Sequence, residues 1–441
     1  MTTNTHKFGP VKLAPGVLPR HVLCYLFAAF VSIGLYTYLV ALTPYVLTVN
    51  LGLPEAEHGR IAGDLQFWQE VALLASLGLW GAMSDRFGRR VVYALGFLIL
   101  FAAYALYAFA TTPPELIAYR LIFALGVAAT TTCLSAILAD YAEEKSRGTL
   151  TGIAFFLNGV GSVIFIMGLT RLPDVFAGQG ITELWAGRYA YLVVAGVALL
   201  AALVMLGLKP GRPDETAVKT PILTLLAEGV TAARNVRIAL SYLSSFAARM
   251  NMIIVTLLLF LWVIQAATGE GATTTEATAR AGMIIGISQI AAVFSAPFVG
   301  VMADRVDRLN LQIAAFAVAT VGYGWVALLD DILALSAIPA LVLVGIGLSS
   351  AQLASTVLLA DESPVRLRGS TFGVQAFFGA LGILVISAGG GRLFDTVGPN
   401  APFVAVAAVN LLVLISSLGW RLVEMRTGTH HSPAAAEDPT P

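Results

Sequence analysis

Twelve long apolar runs constrain this chain more than any other feature. They lie near residues 21–48, 60–83, 91–112, 115–139, 149–170, 188–208, 237–265, 279–302, 309–330, 335–359, 370–390 and 401–423. A helix that crosses a bilayer takes roughly 20 mainly apolar residues. Lipid offers no partner to an unpaired backbone amide, so runs of this length are expected to be helical. A membrane β-barrel would alternate in segments of about ten residues, and these runs do not. Composition agrees, with 58% apolar residues and only 12% charged. These features exclude a soluble enzyme, a coiled coil, a disordered chain and a nucleic-acid-binding domain. They point to an all-α polytopic membrane protein with twelve transmembrane helices.

Lys and Arg together number 26, and so do Asp and Glu, so no net field favours nucleic acid. Cys24 and Cys133 both fall inside apolar runs and form no disulfide framework or metal spacing. None of His6, His21, His58, His430 and His431 lies deep in a run, so no histidine relay crosses the membrane. No cofactor and no metal is expected. The first 20 residues lack the apolar core of a cleaved signal peptide. Basic residues in the loops set orientation. With both termini cytoplasmic, 19 basic residues fall on the cytoplasmic side and 5 on the other, leaving Arg120 and Arg249 within runs. That split argues for both ends inside, in a chain expected in the cell inner membrane.

The longest polar stretch separates the sixth run from the seventh. It suggests a plan of a tail at 1–20, a six-helix bundle at 21–208, a linker at 209–236, a second bundle at 237–424 and a disordered tail at 425–441. Within the linker, 221–234 has a loosely helical pattern that suits a helix on the membrane surface. No large soluble domain interrupts this plan, so the twelve helices are expected to be the whole machine, working as a monomer.

The two halves repeat each other. Gly81-Ala82-Met83-Ser84-Asp85-Arg86-Phe87-Gly88-Arg89-Arg90 returns as Gly300-Val301-Met302-Ala303-Asp304-Arg305-Val306-Asp307-Arg308, 219 positions later. Leu138-Ala139-Asp140 with Arg147-Gly148 returns as Leu359-Ala360-Asp361 with Arg368-Gly369, 221 positions later. Arg171-Leu172-Pro173-Asp174 returns as Arg392-Leu393-Phe394-Asp395, again after 221. Three matches at nearly one offset argue for two parallel six-helix repeats.

With these residues, the chain over about 20–424 resembles the major facilitator superfamily. The stretch at 81–90 is similar to that family's signature loop between its second and third helices. The resemblance implies two pseudo-symmetric six-helix bundles and transport by alternating access. It also implies a conformational latch formed by Gly81, Asp85, Arg86, Gly88 and Arg89, with Asp140 as the obvious carboxylate partner. Asp304, Arg305, Arg308 and Asp361 would be its second copy, in which Asp307 replaces the later glycine. Arg120 is similar to the membrane arginine of many proton-coupled members, although position 124 is alanine and the nearby glycine is Gly126. The fifth helix lacks the Gly-Pro pair usual in drug antiporters of the family.

Ionisable groups at membrane depth are costly and are functional candidates by default. Glu70 lies ten residues beyond Arg60, roughly 15 Å along a helix. Arg249 lies twelve beyond Arg237, roughly 18 Å. Both depths are near the middle of the bilayer. Glu70 corresponds to Gln289 at the 219 offset, and one carboxylate opposite one amide suits a single protonation site. A carboxyl in low dielectric can load and release a proton. Arg249, beside Asn251, keeps its charge and needs an anion, either a protein carboxylate such as Glu70 or the substrate. By resemblance, helices one, four, seven and ten line the central cavity. They offer Tyr36, Tyr38, Thr131 and Gln352 as polar contacts, though such side chains often bond their own helix instead.

The expected function is secondary transport of a small, anionic organic solute, coupled to protons as in a symporter. The alternative is a proton-coupled exporter of hydrophobic or amphiphilic compounds, of the drug-efflux type. An enzyme or ATP-driven pump is not expected, because no lysine ends a phosphate-binding glycine loop and no Gly-x-Ser-x-Gly or His-Glu-x-x-His stretch occurs. The partners are then the solute, protons and the lipid bilayer.

Overall fold

The computed structural model describes residues 7–143, 146–210, 222–364 and 367–427. The expected disordered tail beyond 427 falls outside the described residues, as do Lys145, Arg212, Lys219 and Arg366. Twelve long helical segments occupy the described chain. In the first repeat they are α1 (Pro19–Asn50), α2 (His58–Phe87), α3 (Arg89–Tyr107), α4 (Pro113–Tyr141), α5 (Arg147–Ala177) and α6 (Glu183–Met205). In the second they are α7 (Val236–Gly269), α8 (Thr274–Arg305), α9 (Arg308–Ala327), α10 (Leu335–Glu362), α11 (Arg368–Thr396) and α12 (Ala401–Thr427).

Eleven of them are long and apolar enough to cross a membrane. The remaining one, α2, has 30 residues but carries Gln66, Gln69 and Glu70 near its middle. Its polar load, not its length, sets it apart.

Local chemistry starts and stops these helices. Thr112 caps α4 by accepting from Glu115 N, and Pro113 fills the first turn, where an N–H would be unused. Asp307 caps α9 by accepting from Leu309 N at 2.9 Å and Asn310 N at 3.3 Å. Gly88 separates α2 from α3 at φ +92°, a conformation other residues rarely adopt. Wide π-helical turns interrupt α5 at Ile164–Gly168 and α11 at Ile386–Gly390, 222 positions apart. Such turns bend helices and often mark functional segments. Two more sit in α1 and α7.

The chain divides into two compact units. One comprises Met1–Thr216 with Phe260–Gly286, the other Ala217–Leu259 with Ile287–Pro441. In the first, α1 packs on α5, and α3 packs between α4 and α6. In the second, α7 packs on α11, and α9 packs between α10 and α12. The same pairings recur in the same repeat order, which is the structural form of the sequence repeat. The units do not cut the chain at the repeat boundary. Residues 260–286 join the first unit because they have specific partners there. Gln265 Nε2 donates to the Glu55 carbonyl at 3.3 Å, Thr268 Oγ1 to the Glu55 carboxylate at 3.3 Å, and Gly282 abuts Thr170 and the Ile166 carbonyl.

Within the second unit, the linker contributes a helix at Ile222–Ala232. It packs on α11, where Gly229 admits the Ser370 carbonyl and accepts the Tyr242 hydroxyl at 2.8 Å. The 1–20 segment is more than a tail: Lys7–Phe8 and Val11–Lys12 pair as a small antiparallel hairpin.

Candidate functional site

In the first unit, α2 and α4 bring the polar membrane residues together. Glu70 is 7% exposed, with Gln66 one turn earlier on the same face. Arg120 of α4 is completely buried, and its Nη2 donates to Gln66 Oε1 at 3.3 Å. Its Cζ lies 6.0 Å from the Tyr107 ring and 5.9 Å from the Phe123 ring, so aromatic faces supply part of its stabilisation. Among the described residues, Arg120 Nε and Nη1 have no hydrogen-bond partner, and neither do the Tyr107 and Tyr191 hydroxyls. Asp64 stays near the start of α2, 3.9 Å from Arg60.

The other first-repeat candidates part company. Tyr36 is half-buried and shares a 2.7 Å hydrogen bond with Thr130. Thr131 is half-buried too. Tyr38 is sealed inside the bundle against Tyr104, Phe165 and Tyr191, and its hydroxyl reaches the Leu169 carbonyl at 3.5 Å.

In the second unit, Arg249 is half-buried, and α11 shapes a seat for it. A Cβ at Gly379 would stand 2.9 Å from Arg249 Cγ and 3.1 Å from Ser245 Oγ. Gly379→Ala is therefore expected to displace the arginine stem and to cost about 1 kcal/mol through overpacking. Thermal melting beside the parent protein checks this, and an unchanged midpoint would remove Gly379 as the seat. Asn251 belongs to a different structure. Its amide exchanges hydrogen bonds with Asn410 at 3.1 and 2.8 Å, and its carbonyl accepts Tyr323 Oη at 3.0 Å. That fully buried clamp ties α7 to α9 and α12. Gln289 is 9% exposed, and Gln352 is half-buried.

The signature loop is built around Arg89. Its Nη1 meets Asp85 Oδ1 at 2.7 Å and Ser84 Oγ at 2.9 Å, while its Nε reaches Asp140 Oδ2 at 3.2 Å. Arg86 instead lies over the Phe87 ring at 5.5 Å. Gly81 faces open space, with nothing nearer to a Cβ than a Thr132 methyl at 4.0 Å. The second copy is wired differently. Asp304, Arg305, Arg308 and Asp361 line a polar cleft of about 270 Å³ together with Arg237, Asp307 and Glu362. Its ion pairs converge on Arg237, from Asp307 at 3.4 Å, Glu362 at 3.1 Å and Glu424 at 2.7 Å.

Residues 24–387 match the family model of the Major Facilitator Superfamily. The chain belongs to this superfamily.

Among relatives, the magnetosome protein MamH of Paramagnetospirillum magneticum is 27% identical, over 93% of this chain and 94% of that protein. Magnetosome protein MamZ of the same organism is 26% identical over 90% of this chain but only 62% of its own length. The chain thus spans about three fifths of the MamZ relatives it matches. A crystal structure of the nucleoside transporter NupG, in a mutant form, superposes with a TM-score of 0.72 at 15% identity, covering 90% of this chain and 99% of that one. That likeness concerns the fold.

Superfamily membership makes the departures informative. Arg237 reads from sequence as one of the loop-end arginines that set orientation. It is 3% exposed and pairs with three carboxylates of the second unit. The available signal was Glu424, a carboxylate near the end of an otherwise apolar run. Gln375 carries no sequence signal of its role. Its Nε2 donates to Ser241 Oγ at 2.9 Å, Ser355 O at 3.0 Å and Ser355 Oγ at 3.1 Å, stitching α7, α10 and α11 together.

Proposed function

We propose that the chain carries out secondary active transport of a small anionic organic solute across the cytoplasmic membrane, coupled to protons, with both termini inside. Residues 21–208 and 237–424 serve as the two bundles, joined by the 209–236 linker. In this reading Glu70 loads and releases the proton, and Arg249 takes the anionic group of the solute. Arg120 adds a fixed positive charge beside Gln66, one turn from Glu70. Asp85, Arg89 and Asp140 act as the latch that steadies one conformation, and the Arg237 cleft is its counterpart. Tyr36, Thr131, Gln289 and Gln352 are the polar contacts left for the solute. Asn251 and Tyr38 have structural partners instead.

The observation that carries this reading is two arginines at membrane depth, Arg120 fully buried and Arg249 half-buried, together with the buried mid-helix carboxylate of Glu70. A guanidinium keeps its charge at any working pH and recognises carboxylate or phosphate with a planar fork. A carboxyl is the group that can alternate between charged and neutral forms.

The test begins with a thermal-shift panel of carboxylates, phosphates, sugars and amphiphilic cations, since a ligand that binds the folded state raises the melting temperature. Any hit is then followed into proteoliposomes under an imposed pH gradient. One proton per solute allows about tenfold accumulation per pH unit, because each unit is worth about 1.4 kcal/mol. Glu70→Gln is expected to abolish that accumulation while leaving solute exchange intact. Arg249→Ala is expected to weaken binding at least tenfold, the loss of one charged hydrogen bond of about 1.5–3 kcal/mol. Gradient-driven accumulation that survives Glu70→Gln refutes the proton role. Hits confined to amphiphilic cations favour the exporter reading.

A further inference from the structure

The hairpin at the start of the chain does not end in open space. Gly9, at φ +54°, turns Lys7–Phe8 back onto Val11–Lys12. Val11, Leu13 and Val17 are at most 1% exposed, so residues 11–17 lie docked as a strap rather than loose. The strap crosses the end of α4. Lys12 N donates to Ser146 Oγ at 3.1 Å, Glu143 N to the Lys12 carbonyl at 3.1 Å, and Ala14 N to the Tyr141 carbonyl at 3.0 Å. Leu13 pairs with Ala142 in an antiparallel bridge.

Beyond α6, Lys209 grips the same place. Its Nζ donates to the Pro15 carbonyl at 3.0 Å, and its backbone N–H donates to Tyr141 Oη at 3.0 Å. The Tyr141 ring stands 6.4 Å from His21 and 6.3 Å from Tyr25 of α1. Tyr141 is therefore held by the strap, by α1 and by the segment after α6.

Its neighbour in sequence is Asp140, which pairs with Arg89. The last four carbonyls of a helix have no partner within it, and helix ends fray unless something else takes them. The Ala14 N–H takes the last carbonyl of α4, on the residue next to Asp140. We propose that the strap and Tyr141 are positioning elements. They hold the final turn of α4 in place and so keep the Asp140 carboxylate on Arg89. The proposal rests on the reading of Asp85, Arg89 and Asp140 as a latch.

The protein contains its own reporter. Cys133 Sγ lies 3.8 Å from Ser84 Oγ, the same hydroxyl that accepts Arg89 Nη1 at 2.9 Å. Loss of the Arg89 pairing opens this corner. The experiment measures the alkylation rate of Cys133 by N-ethylmaleimide in full-length protein carrying Cys24→Ser. Arg89→Gln is expected to raise the rate several-fold. Val11→Asp with Leu13→Asp, which drives charge into the docked strap, is expected to do the same. Adding them to Arg89→Gln should give no further increase, because both act through one contact. Tyr141→Phe keeps the ring but loses the acceptor for Lys209, and it should give a smaller rise of the same kind even if the aspartate variant folds poorly.

A strap variant that leaves the rate at the parent value while Arg89→Gln raises it overturns the proposal and leaves the latch reading standing. So do effects that multiply in the combined variant. An unchanged rate in Arg89→Gln itself refutes the latch and the proposal with it.

Discussion

Arg237→Met is expected to be the most damaging single substitution in the second bundle. The guanidinium serves three carboxylates, and the Glu424 and Glu362 side chains are only 3% and 10% exposed. Removing it leaves buried negative charge without a counter-ion, a loss that costs about 3–5 kcal/mol. The Arg421 pairing with Glu424 at 3.2 Å offsets a small part of this, because Arg421 is itself more exposed. Thermal melting of detergent-purified protein should show a large drop in midpoint. Adding Glu424→Gln should recover part of it, since one of the stranded charges is then gone. A midpoint for Arg237→Met close to that of the parent would show that the cluster is solvated and contributes little.

The second large effect is expected at two glycines that occupy equivalent places in the repeats. A Cβ at Gly161 would collide with the Phe30 carbonyl, and one at Gly382 with the Phe246 carbonyl. These contacts set how closely α1 meets α5 and α7 meets α11. The obstructing atoms are backbone, so they cannot swing aside as a side chain could. Small residues at helix contacts in membranes allow the backbones this approach. Gly161→Ala and Gly382→Ala should each cost about 1–3 kcal/mol. Gly152→Ala, where a Cβ meets nothing within 4 Å, should be neutral or slightly stabilising. Equal melting of all three variants would show that the helix pairs can separate without penalty.

Most of the architecture could be read in advance. Twelve long helices followed from run length and the absence of lipid partners for the backbone, and eleven of them are apolar enough to cross a membrane. The repeat appeared in three matched stretches and returned as matched helix pairings. Asp140 was legible as a carboxylate within reach of the basic loop, but that Arg89 rather than Arg86 or Arg90 meets it was decided by the fold. Hydroxyls on the fourth and tenth helices behave as the plainer expectation had it. Thr130, Ser135, Ser350 and Thr356 each donate to a carbonyl one turn earlier in their own helix. That is the habit expected of such side chains in a helix.

The sequence by itself determined the class, the long helical segments and the family, because these depend on composition, run length and spacing, which are properties of the chain alone. Tertiary structure decided what each polar residue does. Arg237, Asn251 and Gln375 became fastenings because carboxylates, amides and hydroxyls from distant helices arrived beside them. Glu70, Arg120 and Arg249 kept the interest their depth gave them, since desolvation makes any membrane charge costly wherever its partners come from. The strap over Tyr141 was decided by tertiary packing and hydrogen bonds between distant segments. Val11 and Leu13 are ordinary apolar residues in a short polar segment, and only the folded end of α4 gives them a surface to cover.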